Sequence, residues 1–272
     1  MTVDCQHDRR KSHEQIAHNL ALRYAKEPGV VAVAAGGSFA ANVDDQDSDL
    51  DLYVYSEAPL SAEVRTKIAT ERSSYVELDN RLWEPGDEWL EPSALHVDVM
   101  FRTTAWANEQ LRAVLDEHQA SLGYTTSFWY NFRHSRPLFD RADWFASLQQ
   151  KAAQPYPDAL ARAIITKNFP VLQGSMSSYT HQIVLAIKRR DIVSVNHRLA
   201  AFLASYFDVL FALNQELVPG EKRLLRSASN LPCHPDAMAE RIEALLAFTP
   251  HTLNAVPTLL AEIVAELELL LP

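Results

Sequence analysis

Between residues 36 and 55 the chain reads GGSFAANVDDQDSDLDLYVY, and five aspartates fall within eight positions, from Asp44 to Asp51. Carboxylates this close repel one another, and burying one without a partner costs several kcal/mol, so the cluster needs a solvated loop, a cation, or both. Asp44, Asp45 and Asp47 read as a solvated loop. Asp49 and Asp51 do not, because they alternate with Leu50, Leu52 and Val54 in a strand-like run. Successive side chains of a strand point to opposite faces, so both carboxylates stand on one face and the apolar residues on the other. The later run His96-Val97-Asp98-Val99-Met100-Phe101 repeats the device, with Asp98 beside His96 and Met100 on one face. If the two strands are neighbours, Asp49, Asp51 and Asp98 form a triad of metal ligands. Oxygen-only ligation suits a hard cation such as Mg²⁺, which keeps positions for water and substrate phosphates. Two such ions, about 4 Å apart, clamp the attacking and leaving oxygens of a displacement at phosphorus.

Gly36-Gly37-Ser38 supplies a complementary element. Glycines after a strand let backbone approach a ligand closely, and N–H groups there with the Ser38 hydroxyl hold phosphate oxygens, most effectively if a helix starts at Phe39. A calcium loop beginning at Asp45 is excluded: its sixth position is Leu50 where glycine is needed, and its twelfth is Ser56 where glutamate is needed.

The elements that must position these groups are legible in outline. The spacing predicts a helix from about His13 to Lys26, ended by Pro28-Gly29, and an interior strand over Val30–Ala35. It predicts a second strand from near Asp49, a helix over 60–73, a short strand at Ser74–Leu78 and a third clear strand at Leu95–Phe101. LWEPGDEWLEPS, between the last two, reads as a loop rich in Trp, Pro and acid. After the Pro-containing stretch 152–158 the pattern becomes helical. Leu199, Phe202, Leu203, Tyr206, Leu210 and Leu213 form one stripe at spacings of three and four, and Leu259, Leu260, Ile263, Val264, Leu267 and Leu270 form another. The expected fold is α+β: a mixed-sheet domain over residues 1–148, then a helical bundle over 149–272.

Composition narrows the function. A net charge of -10 disfavours a stable nucleic-acid partner, whose phosphates call for clustered Lys and Arg, and suits a cationic small molecule. The two cysteines, Cys5 and Cys233, have no metal-like spacing. No apolar run approaches the roughly 18 residues of a membrane span, and MTVDCQHDRRKSHEQ lacks a leader's apolar core, so the expected location is the cytoplasm, without membrane association.

Gly37-Ser38, ten intervening residues, Asp49-Leu50-Asp51-Leu52 and a later-strand Asp98 together resemble the signature of the DNA polymerase β-type nucleotidyltransferase superfamily. A catalytic domain followed by a helical one resembles the branch that acts on aminoglycosides and lincosamides. The resemblance implies transfer of a nucleoside monophosphate from ATP or another triphosphate to a hydroxyl of a small acceptor, with loss of pyrophosphate. It implies Asp49 and Asp51 as Mg²⁺ ligands, Asp98 as the third carboxylate, and Ser38 with Ser48 on the triphosphate. In one branch a Gly-Glu-Trp segment carries the catalytic glutamate; here the text is Gly86-Asp87-Glu88-Trp89, with one residue more, so Glu88 is the candidate general base and Asp98 its rival. Glu84, Asp87 and Glu88, flanked by Trp83 and Trp89, could face a cationic acceptor. Lys222, where Pro219-Gly220 breaks a helix, is the candidate cation for phosphate. Phe128-Trp129-Tyr130 reads as packing. Two alternatives remain: a protein as the acceptor, and a non-catalytic module binding nucleotide or a protein partner, as in toxin–antitoxin pairs.

Overall fold

The computed structural model describes residues 3–37, 49–73, 75–81 and 84–272. The chain divides into two compact units, Met1–Leu111 with Asn131–Gln154, and Arg112–Tyr130 with Pro155–Pro272. The helix Trp144–Ala152 packs on strands of the sheet and belongs to the first unit.

The first unit holds a mixed six-stranded sheet. Its strands are β1 (Val30–Ala35), β2 (Leu50–Ser56), β3 (Val76–Asn80), β4 (Gly86–Leu90), β5 (His96–Thr103) and β6 (Arg136–Asp140), in the order β3-β4-β5-β2-β1-β6. Only β2 and β5 run parallel; the other neighbours are antiparallel. The stretch read as a loop therefore contains a strand, β4. β6 carries Pro137, which cannot donate to a ladder, and accordingly lies at an edge.

Helix α1 (Val3–Tyr24) is longer than its expected span, and α2 (Ala62–Thr70) is capped by Ser61, whose hydroxyl accepts from the Val64 N–H. Ala17, Leu20, Ala21 and Tyr24 of α1 and Ile68 and Ala69 of α2 join Leu50, Leu52, Val54, Trp89, Val97 and Val99 in one buried cluster. This is the face opposite Asp51 and Asp98, as alternation requires. Toward the ends of β2 and β5 the carboxylate-bearing face is itself covered: Tyr55 packs within about 5–6 Å of the rings of Phe132, Trp144 and Phe145.

Helices α3 (Thr104–Leu115), α4 (Ser127–His134) and α5 (Trp144–Ala152) follow in the chain. The second unit is helical, with α6 (Asp158–Leu172), α7 (Tyr179–Lys188), α8 (Ile192–Leu213), α9 (Leu224–Ala228), α10 (Met238–Leu246) and α11 (Val256–Glu268). Leu199, Phe202, Tyr206 and Leu210 of α8 and Leu260, Ile263, Val264 and Leu267 of α11 are buried in its core, with Leu203, Leu213, Leu259 and Leu270 packed at the margin. Within this core the Asp208 carboxylate accepts from the Thr125 N–H at 3.0 Å, the Thr125 hydroxyl at 2.6 Å and Asn168 Nδ2 at 3.3 Å. Among the described residues no helix is long and apolar enough to cross a membrane.

Candidate active site

The register between strands decides which carboxylates meet. Asp51 pairs with Asp98 across the parallel β2–β5 ladder, and Asp98 pairs with Glu88 across the antiparallel β5–β4 ladder. Glu88 in turn pairs with Glu77 of β3. Directly opposed residues project to the same face, so a row of four carboxylates crosses four neighbouring strands. Asp49 lies just before β2, beside His96, whose Nδ1 is 3.4 Å from Asp49 Oδ1 and whose Nε2 is 3.3 Å from Glu88 Oε2. The structure thus brings Asp49, Asp51, Asp98 and Glu88 together in one unit.

The row has an electrostatic cost. Burial, and after it the charges of Asp51, Glu88 and Asp49, push the Asp98 carboxyl up from 3.8 to about 6, against a downward pull from His96. A carboxylate flanked by carboxylates on both sides favours whatever positive charge enters the row.

The two glycines are explained by the side chains above them. Gly37 has φ +57, and a methyl group there would stand 1.9 Å from Asp51 Oδ2. One on Gly36 would stand 2.1 Å from the Tyr53 ring. The backbone leaving β1 therefore lies directly on Asp51 and Tyr53, an approach only glycine permits. Tyr53 is fixed from behind: its hydroxyl accepts from Asn131 Nδ2 at 2.7 Å, and the Arg102 guanidinium stacks 4.0 Å from its ring centroid. Arg102 is buried and held by Glu84, with Nε to Oε2 at 2.8 Å and Nη2 to Oε1 at 2.9 Å, and it also donates to Asn131 Oδ1 at 2.8 Å. Sequence reasoning missed this support. Its one signal was an arginine on the Asp98 face of an otherwise apolar strand, two residues past Met100.

Several expectations are corrected. Asp87 faces the core and is 0% exposed, so it cannot meet an acceptor. Arg65 of α2 closes on it, Nε donating to Oδ2 at 2.9 Å and Nη2 to Oδ1. Glu84 is committed to Arg102, and Trp89 is buried with its Nε1–H donating to Glu91 Oε1 at 2.9 Å. Of the proposed acceptor-facing acids, Glu88 remains. Trp129 is buried with its ring 5.4 Å from that of Tyr156, as the packing reading requires. Lys222 is exposed and belongs to the second unit. Ser38, Ser48 and Trp83 lie outside the described residues, as does the expected helix start at Phe39.

Among the described residues no group of three or more His, Cys, Asp or Glu stands ready to hold a metal ion. The donor chemistry nevertheless fits a hard divalent cation. Asp51 and Asp98 are side by side, all candidate ligands are oxygens, and Mg²⁺ is commonly held by one or two carboxylates together with substrate phosphates.

The site is a mixed sheet carrying aligned carboxylates on neighbouring strands, entered by a glycine turn packed on the first of them. Residues 19–121 match the family model described as nucleotidyltransferase domain. The match supports the DNA polymerase β-type nucleotidyltransferase superfamily that the residue pattern resembles, and the matched segment contains Gly37, Asp49, Asp51, Glu88 and Asp98. No curated protein matches the chain. Among solved structures, the crystal structure of a nucleotidyltransferase-like protein from Exiguobacterium sibiricum 255-15 aligns at 12% identity with a TM-score of 0.47, over 94% of this chain and 73% of that one.

Proposed function

We propose that this protein moves a nucleoside monophosphate, AMP from ATP in the first instance, onto a hydroxyl of a small acceptor and releases pyrophosphate. The observation that carries the reading is the single row Asp51, Asp98, Glu88 on adjacent strands. Asp49, Asp51 and Asp98 are the residues that would hold divalent ions, with Mg²⁺ the expected metal. The chemistry a bound divalent ion would supply there is neutralisation of the triphosphate and of the charge that develops at phosphorus. Gly37 brings main chain against Asp51, where its backbone would hold phosphate oxygens, and Ser38 and Ser48 are the proposed side-chain contacts to the triphosphate.

Glu88 is assigned as general base. It stands one strand beyond Asp98, an order along the sheet that suits ligand, ligand and base. The acceptor oxygen attacks the α-phosphorus as its proton passes to Glu88. The new O–P bond forms as the α–β anhydride bond breaks, and pyrophosphate leaves with the electron pair. No covalent enzyme intermediate is required. Asp98, flanked by two carboxylates, serves better as a ligand than as the base. Glu77 and Glu88 also leave negative charge on the acceptor side of the row, which favours a cationic acceptor such as an aminoglycoside.

The deciding experiment is pyrophosphate release from Mg-ATP with pooled aminoglycosides, spectinomycin and lincosamides, with Asp51→Ala as control. Release that depends on one acceptor and disappears in Asp51→Ala is the expected result. Nucleotide binding with no release above that variant would refute a small antibiotic acceptor and redirect the search to a protein acceptor or partner.

A further inference from the structure

The contact at Glu88 has a structural origin away from the metal ligands. Between the pairs Glu77–Glu88 and Asn80–Gly86 the β3–β4 register shifts, and within that shift Asp79 adopts φ +55. A bulge of this kind turns the following side chain out of the regular pleat. The side chain it re-aims is Asn80, whose Nδ2 donates to Glu88 Oε1 at 2.6 Å. The irregularity is itself held from below. The Asp79 N–H donates to Asp87 Oδ1 at 2.9 Å, and Asp87 is the buried partner of Arg65. Arg65 also reaches Asp79 Oδ1 and the Gly86 carbonyl, at 3.5 and 3.4 Å. One buried ion pair thus fixes the backbone of both β3 and β4 on either side of Glu88.

We infer that Asn80 is a positioning residue for the reaction: its amide, aimed by the Asp79 bulge, fixes Oε1 of Glu88 and so orients Oε2, which lies 3.3 Å from His96 Nε2, to take the acceptor proton. This rests on Glu88 being the base of the transfer proposed above. A neutral amide suits the task. It donates to a carboxylate without adding charge to a row already crowded with it, whereas a cation there would compete for the charge that metal and acceptor must meet. The arrangement also accounts for the residue between glycine and glutamate in Gly86-Asp87-Glu88-Trp89: Asp87 anchors the bulge that carries Asn80.

Two measurements test this separately. In an ¹⁵N-resolved spectrum of the full chain, the Asn80 side-chain amide protons shift in Glu88→Ala and stay put in Glu84→Ala. If they ignore Glu88→Ala, the hydrogen bond is absent and the inference fails. In kinetics, Asn80→Ala lowers kcat roughly 10- to 100-fold, the loss that a displaced catalytic group of about 1 Å produces, with the KM for ATP unchanged. In a Glu88→Gln background the same substitution has no further effect on kcat, because the role assigned to Asn80 in the reaction runs through Glu88. An equal loss in both backgrounds, or full turnover by Asn80→Ala, overturns the role. If Glu88→Gln keeps wild-type turnover, the base assignment and this inference fall while nucleotidyl transfer stands. If the wild type transfers to no acceptor, the transfer reading and the role fall together, and the amide shift still reports whether the bond exists.

Discussion

Gly37→Ala separates the geometry of the site from the stability of the fold. The substitution places a methyl group 1.9 Å from Asp51 Oδ2 at a residue with φ +57. A side chain in the left-handed region costs about 1–2 kcal/mol. Restoring ordinary contact requires the Asp51 oxygen to move by about 1.5 Å, and because Asp51 is only partly buried it can do so at roughly 1 kcal/mol of rotamer strain. The sum, about 2–3 kcal/mol, is small against the roughly 5–15 kcal/mol stability of a typical domain, so the variant folds. The carboxylate, however, leaves its place opposite Asp98, and displacements of about 1 Å cost about 100-fold in rate. The expected result is a fall of that order in kcat/KM for pyrophosphate release, weaker Mn²⁺ binding in a metal titration, and a modestly lower thermal midpoint. Gly29→Ala is the control, since nothing lies within 4 Å of its added methyl group and its φ is not in the left-handed region. Wild-type turnover and metal affinity in Gly37→Ala would refute the claim that this backbone sets Asp51.

Other outcomes follow from buried charges. Arg65→Met leaves Asp87 buried without its cation and should cost about 3–5 kcal/mol in urea unfolding, and Asp87→Leu in the same chain should restore much of it. If the single variant is as stable as wild type, the pair does not anchor β4. Asp208 gives a pH dependence in the helical unit. Burial pushes its carboxyl up from 3.8 to about 6, opposed by its hydrogen bonds from Thr125. A carboxyl raised on folding stabilises the fold most below about pH 4, and that contribution is lost as pH rises through about 6. The difference is worth roughly 3 kcal/mol. Relative to Asp208→Asn, the wild type should lose stability of that order between pH 4 and 7, and parallel pH profiles for the two would refute it.

The alternation Asp49-Leu50-Asp51-Leu52 and Val97-Asp98-Val99 identified both carboxylate strands and the faces they present, because a pleat has a period of two. It could not supply the register, which depends on pairing between segments far apart in the chain. Glu88 illustrates the difficulty. In Gly86-Asp87-Glu88-Trp89-Leu90 the core face carries an aspartate, which breaks the apolar pattern of a strand and reads as loop. The pattern is intact once Arg65 arrives from α2 to neutralise Asp87, a contact across 22 positions of the sequence. The same distance hid Arg102, whose partners Glu84 and Asn131 come from different segments. It also hid the Asp79 bulge.

What the sequence determined by itself was the chemistry available: oxygen ligands on strand faces, glycines where backbone must lie close, and a switch from β to helical periodicity past residue 150. These depend on residue type and local spacing, which the chain carries directly. Tertiary structure decided which acids meet one another and which hold the fold. That choice turns on burial and on the partner each charge meets, so Asp87 is spent on Arg65 and Glu84 on Arg102, while Asp51, Asp98 and Glu88 are brought together in one row.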